Sequence, residues 1–193
     1  MATFFLQLLM LVLAQGGQPE SIVRDTPMPL SLFEFNSASE ASWQVVNDGV
    51  MGGRSSGYVS VEEGTLRFTG TLVTEGGGFT SIRADRAVDL KGYEGLELRV
   101  RGGGRTFEVQ VDDGTRRRGR TVSRRASFVT SEEWTLIRVP FTAFRTTIFG
   151  QSVNAPPIDP SNVRGFGFFI LDGIDGPFRL EVDAIRAYKT DDE

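Results

Sequence analysis

The sequence contains no cysteine and no histidine among its 193 residues. These absences exclude disulfides, zinc sites built from Cys or His, and a histidine pH switch. They also exclude Cys–His and Ser–His–Asp catalytic sets, so any chemistry must use carboxylates, arginine, tyrosine or a bound ligand. We therefore predict a protein that binds rather than one that turns over a substrate, with no cofactor and no metal.

Lysine is almost absent too, since Lys91 and Lys189 are the only two of the 21 basic residues that are not arginine. The net charge is −4 and the pI is about 5.1, which argues against a nucleic-acid-binding domain. No Gly-Lys pair occurs and no GxGxxG follows a strand, so the common nucleotide phosphate loops are missing. We expect neither nucleic acid nor a nucleotide as a ligand.

The longest apolar run, residues 4–14 (FFLQLLMLVLA), is too short to span a membrane. It resembles the apolar region of a signal peptide, with Val12-Leu13-Ala14 at the cleavage position, although no basic residue precedes it. We predict that residues 1–14 are a signal peptide or leader and that the protein is exported, periplasmic or extracellular. The alternative is a membrane-associated leader, and the first residue of the mature protein distinguishes the two.

Residues 32–189 show apolar and charged side chains in alternation, as in a strand with one buried face. Leu96, Leu98 and Val100 alternate with charged residues, and four Asp-Gly pairs supply turns. We predict a single all-β domain, an antiparallel two-sheet β-sandwich such as a jelly roll. A flexible linker over residues 15–31 precedes it and an acidic tail over residues 190–193 follows.

Two segments are denser in glycine and polar residues than turns require. The first is NDGVMGGRSSG at 47–57, which either presents a ligand loop or forms a structural hairpin in which Asn47 and Asp48 bond their own backbone. The second is GGGFTSIR at 76–83. If Arg83 faces inward it needs a carboxylate, for which Asp48 is the candidate. If it faces outward it is solvated.

Residues 116–125 (RRRGRTVSRR) hold six of the arginines. Such a block is either a solvated hairpin or a patch for an anionic partner, whether an acidic protein, an anionic glycan or lipid headgroups. The possible anionic-partner patch consists of Arg116, Arg117, Arg118, Arg120, Arg124 and Arg125.

Aromatic residues offer a further ambiguity. The run Phe166–Leu171 has no polar side chain on either face of the predicted strand. This fits a strand that is covered on both faces or one with a face that lines a groove. Trp43 and Trp134 could stack on sugars, but we expect both to pack in the core.

Carboxylates could supply two other activities. Asp172 and Asp175 could form a glycosidase pair, although nothing in the sequence sets their separation. Glu34 and Asp183, on the first and last strands, could hold a structural calcium ion. We prefer a binding protein that has no catalytic activity and no metal over both of these possibilities.

Four segments together resemble the NADH:ubiquinone oxidoreductase complex I intermediate-associated protein 30 family over Phe33 to Tyr188. They are NDGVMGGRSSG, GGGFTSIR, WTLIRVPFTAF and GPFRLEVDAI. The signature residues carried over from the first two segments are the predicted ligand- or partner-binding residues. They are Asn47, Asp48, Gly49, Met51, Gly52, Gly53, Ser55, Gly77, Gly78, Phe79, Ser81 and Arg83.

The resemblance implies a galactose-binding-like jelly roll, similar to some carbohydrate-binding modules. It further implies a protein partner and an assembly or chaperone-like role, because mitochondrial members assist respiratory complex I assembly and are not known as enzymes. The leader fits a bacterial member better than a mitochondrial one. The alternative is a carbohydrate-binding module that takes a glycan, and membrane association is expected only through the leader or the partner.

Overall fold

The computed structural model describes residues 28–37 and 41–190. The predicted leader, most of the linker and the last three residues of the predicted tail lie outside these ranges, so export remains a prediction. Leu30 and Ser31 already belong to the first strand, which places them in the sheet rather than in the linker. Within the described ranges, no helix has the length and apolar character needed to cross a membrane.

Strands make up nearly all the regular structure. They are β1 (Leu30–Phe33), β2 (Gln44–Asn47), β3 (Ser56–Glu62), β4 (Thr65–Leu72), β5 (Thr80–Val88), β6 (Gly95–Arg101), β7 (Thr106–Asp112), β8 (Arg116–Arg117), β9 (Arg120–Thr121), β10 (Ser123–Val129), β11 (Thr135–Pro140), β12 (Arg145–Ile148), β13 (Gln151–Ser152), β14 (Val163–Ile170) and β15 (Gly176–Tyr188). The helices assigned in the described ranges are single 3₁₀ turns at Asp48–Met51, Phe141–Ala143 and Pro160–Asn162.

The strands form two antiparallel sheets, which confirms the predicted sandwich. The six-stranded sheet has the order β11-β6-β15-β4-β3, with β1 also paired to β15. The seven-stranded sheet has the order β13-β12-β10-β7-β14-β5-β2. The short pair β8 and β9 forms a separate hairpin between β7 and β10.

The core lies between the two sheets and is built from the alternating positions. Leu96, Leu98 and Val100 of β6 are fully buried in one apolar cluster with Phe107 and Val111 of β7. Each such side chain contributes about 1.5–3 kcal/mol by leaving water, so the alternation that predicted the strands also supplies their stability.

Strand β15 changes its alternation at a bulge. Phe178, Leu180 and Val182 face the core in its first part, whereas Ile185 and Ala187 do so in its second. The pairing with β6 shifts register between Val182 and Ala184, where one extra residue is accommodated. Because of this bulge, a strand of 13 residues keeps apolar side chains toward the core along its whole length.

The arginine block is not a single solvated hairpin, which corrects one sequence-based interpretation. Arg124 lies on the core side of β10, in step with Ala126 and Phe128, and is 1% exposed. Its Nη2 is 2.9 Å from Oδ2 of Asp113, which is also buried. Its Nη1 donates to the Pro156 carbonyl at 2.7 Å, so Arg124 attaches a long loop to the end of the sheet.

The Asp113 carboxylate is held ionised by its surroundings. Burial is the largest influence and raises its pKa, but hydrogen bonds from the Asp159 and Thr115 amides and from Arg124 together lower the pKa below its usual value. Arg124 is therefore a structural cation rather than part of an anionic-partner patch.

We expect Arg124→Gln to lower the free energy of unfolding by about 3–5 kcal/mol, because Asp113 would be left as an uncompensated buried charge. Arg118→Gln is the matched control, since Arg118 is exposed in the adjoining hairpin, and it should change stability by less than about 0.5 kcal/mol. Urea unfolding of both variants measures the difference. Equal stabilities would contradict the assigned role of Arg124.

Candidate binding site

The two signature segments meet around one buried carboxylate, that of Asp48, which is 0% exposed. Its Oδ1 accepts from the Ser55 amide at 3.0 Å, and its Oδ2 accepts from the Ser55 hydroxyl at 2.7 Å. Oδ2 also accepts from the amides of Gly78 at 2.8 Å and Phe79 at 3.3 Å. The carboxylate thus joins two loops and satisfies their donors. It does not pair with Arg83, which is exposed, so the inward arrangement that would have required this pair does not occur.

The glycines of both segments follow from this arrangement. A Cβ atom at Gly53 would lie 2.1 Å from Asp48 Cγ, and one at Gly77 would lie 2.5 Å from Asp48 Oδ2. Asn47 takes part by accepting from the Thr80 hydroxyl at 2.6 Å rather than from its own backbone. The first segment is therefore mainly an internal junction and not a loop that presents these side chains to a ligand.

The remaining signature residues are divided between surface and interior. Gly49 and Gly52 are exposed, whereas Ser81 is fully buried and donates to the Val46 carbonyl at 3.3 Å. Met51 lies in the first 3₁₀ turn, and its side chain is outside the described atoms.

Burial and hydrogen bonding oppose each other at Asp48. Burial is the largest single influence and raises the pKa, while the Ser55, Gly78 and Phe79 donors together lower it below the usual value. The ionised form is consequently preferred in the folded protein.

We expect Gly53→Ala to destabilise the fold by about 1–3 kcal/mol, because the new methyl group overlaps the Asp48 carboxylate. Gly49→Ala is the matched control in the same loop, since a Cβ there meets no atom within 4 Å. It should be neutral or stabilising by up to about 1 kcal/mol. Thermal unfolding of the pair tests this, and similar losses in both would contradict the steric role of Gly53.

The lowered pKa of Asp48 also predicts a pH dependence. Because the folded pKa lies below the unfolded one, this carboxylate stabilises the fold above about pH 4 and loses that contribution as the pH falls through the folded pKa. Asp48→Asn should lower stability at pH 7 and reduce its loss between pH 5 and 2, each measured by urea unfolding. Asp85→Asn, at an exposed carboxylate of β5, should leave the profile unchanged. A variant profile parallel to wild type would contradict the assignment.

A groove of about 570 Å³ crosses the outer face of the seven-stranded sheet. Its floor is Phe169 of β14, which points away from the core side occupied by Phe168 and Ile170. Residues that line the groove include Phe79, Arg83, Gln110, Arg125, Phe149 and Phe169. The run Phe166–Leu171 is therefore apolar on both faces because one face lines this groove, as one of the two sequence readings predicted.

Two guanidinium groups lie against the floor. The Cζ atom of Arg83 is 5.1 Å from the Phe169 ring centroid, and that of Arg125 is 4.9 Å from the same centroid. Both distances are typical of cation–π contacts. The ring is thereby shielded and is only 6% exposed as a residue.

The groove is cationic because Arg83, Arg120 and Arg125 line it and none of its described lining residues is acidic. Glu108 contacts Arg125 at 3.0 Å and Arg145 at 2.7 Å, so one carboxylate serves two guanidinium groups. Arg83 is exposed. Unlike Arg125 and Arg145, it has no carboxylate of the described residues within salt-bridge distance. Desolvation and then repulsion from Arg125 lower the pKa of Arg83, while Asp112 opposes them.

Part of the sequence-predicted site is brought together here. Gly77, Gly78, Phe79 and Arg83 of the second segment line the groove together with Arg120 and Arg125 of the arginine block. Arg117 and Arg118 line a neighbouring depression of about 720 Å³, which also contains Arg120 and Phe149. Arg116 instead donates to the Gly119 carbonyl within its hairpin at 2.5 Å.

Gln110, Phe149 and Phe169 were not predicted as site residues. Gln110 occupies an outward position in the alternation of β7. Other outward strand residues show the same pattern, so it does not mark Gln110 as a site residue. Phe149 is 79% exposed at a hairpin tip beside Gly150, and Arg120 lies 5.1 Å from its ring centroid. An aromatic residue next to a turn glycine is the one local sign that the sequence offered.

The two tryptophans lie away from the groove. Trp43 packs against Phe33 and Phe168 with centroid distances of 5.4 and 6.1 Å, as expected for a core residue. Trp134 does not pack in the core, which differs from the prediction. It lies on the outer face of the six-stranded sheet, where Arg99 and Arg101 cover its ring.

The carboxylates proposed for catalysis are held by other groups. Asp172 accepts from Nε and Nη2 of Arg105 at 2.6 and 2.7 Å, while Asp175 accepts from the Thr74 amide at 2.6 Å. Burial raises the pKa of Asp172, but Arg105 and backbone donors together bring it below its usual value. A general acid needs the opposite shift, so this pair does not resemble a glycosidase pair.

The calcium candidates are likewise paired with arginine. Glu34 contacts Arg186 at 3.2 Å, and Asp183 pairs with Arg99. The described residues contain no group of three or more Asp, Glu, His or Cys side chains that could hold a metal ion.

Residues 33–182 match the family model described as Complex I intermediate-associated protein 30. The chain belongs to this family. A protein of the family from Mus musculus, the mitochondrial complex I intermediate-associated protein 30, is 26% identical over 76% of this chain and 52% of its own length. An uncharacterized protein of Schizosaccharomyces pombe is 29% identical over 77% of this chain and 78% of its own length. The chain thus spans about half of the mouse family member.

Solved structures show how this family member folds. A family 11 carbohydrate-binding module of a cellulosomal cellulase from Clostridium thermocellum has a TM-score of 0.62 at 15% identity, over 84% of this chain and 95% of the module. A family 30 carbohydrate-binding module has a TM-score of 0.58 at 16% identity, over 86% of this chain and 91% of the module. At these identities the likeness establishes the β-sandwich alone.

Proposed function

We propose that this family member is a non-enzymatic binding module whose groove engages a protein partner, with an assembly or chaperone-like role. The observation that carries the proposal is the groove itself, which combines an aromatic floor with guanidinium groups that outnumber their carboxylates. Aromatic residues and arginine are the side chains most enriched at sites that dominate protein–protein binding energy.

The family signature supports this placement of the site. Asp48 binds the amides of Gly78 and Phe79, and those two residues line one end of the groove. A buried carboxylate that fixes the rim keeps the site in one shape before a partner arrives, which reduces the entropy cost of binding.

The names of the relatives suggest the kind of partner. The mouse relative and a Caenorhabditis elegans relative are named as complex I intermediate-associated proteins. By analogy, we propose that the partner here is a subunit of an incompletely assembled protein complex. The analogy covers the shared domain, because the chain spans only part of those proteins.

A carbohydrate-binding module is the second candidate, and the fold favours it. The family 11 module has also been solved with a β-1,3-1,4-mixed-linked tetrasaccharide, with a TM-score of 0.63 to this chain. The groove offers less to a neutral sugar, however. The Phe169 ring is covered by Arg83 and Arg125, and both tryptophans lie elsewhere.

Partner capture with surface variants tests the proposed function. Phe149→Ser removes the exposed aromatic residue at the groove, and Leu136→Ser removes a 53% exposed apolar residue on β11 of the other sheet as a matched control. Affinity capture from a native extract should recover one protein with wild type and Leu136→Ser. Phe149→Ser should reduce its recovery at least about tenfold, as expected for a loss of 1.4 kcal/mol or more when an aromatic anchor is removed.

The contrary outcomes are distinct. Equal recovery by both variants would remove the groove from partner binding. Retarded migration of the wild-type protein in a gel containing mixed-linkage β-1,3-1,4-glucan, abolished by Phe149→Ser, would support the carbohydrate candidate instead.

A further inference from the structure

We propose that the groove selects a peptide segment carrying a carboxylate side chain beside an apolar one, with the carboxylate bound between Arg83 and Arg125. The inference rests on the proposed function, since it names the chemistry of the partner segment.

Four residues form one row across the sheet. In the strand register Arg83 of β5 is opposite Gly167 of β14, Gly167 is opposite Gln110 of β7, and Gln110 is opposite Arg125 of β10. Neighbouring strands lie about 4.8 Å apart, so the outer members of the row are three strand spacings, about 14 Å, apart at their backbones. The row therefore reads cation, gap, amide and cation.

Gly167 provides the gap. A Cβ atom there would come within 3.3 Å of Arg83 Cγ and 3.6 Å of Gln110 Cβ, and within 2.7 Å of the Ile82 carbonyl oxygen. The absent side chain leaves the guanidinium of Arg83 free to lean over Phe169, where the Arg125 guanidinium also lies. Two cations consequently converge on one ring.

Polar atoms of this row lack partners in the described structure. Arg125 is 9% exposed, and its Nε has no hydrogen-bond acceptor. Oε1 of Gln110 is buried and has no donor. Glu108 Oε2 lies 3.0 Å from Arg125 Nη1 but without hydrogen-bond geometry, so we treat this contact as an ion pair only. Because Nε of Arg125 and Oε1 of Gln110 are both buried, a ligand would reach them only after the Arg125 side chain shifts, whereas the exposed Arg83 is open to a carboxylate directly.

The opposite sheet shows how outward arginines are otherwise satisfied. Arg67 and Arg101 both contact Glu181, at 3.4 and 2.5 Å, and Arg99 pairs with Asp183. Arg83 has no such carboxylate among the described residues, and the nearby acid that acts on it, Asp112, accepts from the Gly114 amide at 2.8 Å. A carboxylate from a partner would supply the missing charge in a charge-assisted contact.

The groove walls favour a peptide over a sugar or a free anion. Phe79, Leu171 and Phe149 give apolar surface on either side of the cationic row. With the Phe169 ring shielded, this surface is suited to an aliphatic or aromatic side chain rather than to a stacked sugar ring. A peptide that repeats Leu-Leu-Glu-Glu places a carboxylate and an apolar side chain on the same face when it is extended, because residues i and i+2 share a face.

The test uses two labelled octapeptides and the full protein. One peptide repeats Leu-Leu-Glu-Glu twice, and the second replaces every Glu with Gln. Fluorescence anisotropy should show that the Glu peptide binds at least about tenfold more tightly, a preference set by charge-assisted contacts. Arg83→Gln should reduce the preference to about twofold or less, because one of the two cations is lost.

Controls separate this effect from net charge and from folding. Arg179→Gln removes the same charge from the outer face of the six-stranded sheet, where Arg179 is largely exposed, and it should retain the preference. Arg83→Lys keeps the cation and should bind the Glu peptide more tightly than Arg83→Gln does. Arg83 and Arg179 are both exposed, so all three variants should unfold at temperatures close to wild type.

Several outcomes would overturn the inference. They are equal binding of the two peptides, a preference that Arg83→Gln does not alter, and binding of polygalacturonate or inorganic phosphate through Arg83 without binding of the Glu peptide. Partner capture that depends on Phe149 but not on Arg83 would reject the acidic segment and leave the proposed function intact. Binding of the Glu peptide through Arg83 without any captured protein would reject the proposed function and leave the ligand class intact.

Discussion

The buried carboxylate of Asp48 is the contact on which the two signature segments depend. It accepts four hydrogen bonds from donors 7 to 31 residues away in sequence. Without a compensating acceptor, those buried donors would each cost about 1–3 kcal/mol. The glycines at 53 and 77 follow from the space that the carboxylate occupies, and the rim of the groove follows from the position of Gly78 and Phe79. One ionised side chain thus shapes the site without being part of its surface.

The two sheets treat their arginines differently. On the outer face of the six-stranded sheet, Arg67, Arg99 and Arg101 are paired with carboxylates of β15. At the end of the seven-stranded sheet, Arg124 is buried with Asp113 and fastens a loop. In the groove, by contrast, Arg83 has no salt-bridge partner among the described residues, and Arg125 shares Glu108 with Arg145. The net charge of −4 does not reveal this difference, because it sums the charges of both sheets.

The chain belongs to the complex I intermediate-associated protein 30 family, and it shares the β-sandwich fold of carbohydrate-binding modules. A sandwich of this type provides a broad sheet face, and the side chains on that face decide what it recognises. Here guanidinium groups cover the aromatic ring that a sugar would otherwise stack on. Side-chain chemistry therefore distinguishes this groove more sharply than the fold does.

The amino-acid sequence by itself determined the fold class and the family. Alternation in Leu96–Val100 and Phe107–Val111 marks strands because side chains point to opposite faces at every second residue, and the two signature segments identify relatives. The candidate site was only half predictable. Gly78, Phe79 and Arg83 were expected from the signature, whereas Gln110 and Phe169 could not be, since they resemble other strand residues.

Tertiary structure decided which arginines are buried and which face the groove. A period of two separates Arg124 from its neighbour Arg125 but does not say which of them points inward. Likewise, the row from Arg83 to Arg125 includes two strand pairings, Arg83 with Gly167 and Gly167 with Gln110, between residues far apart in sequence, and their register depends on how the core side chains pack. Those pairings are set by long-range contacts between the sheets, which no local pattern in the sequence encodes.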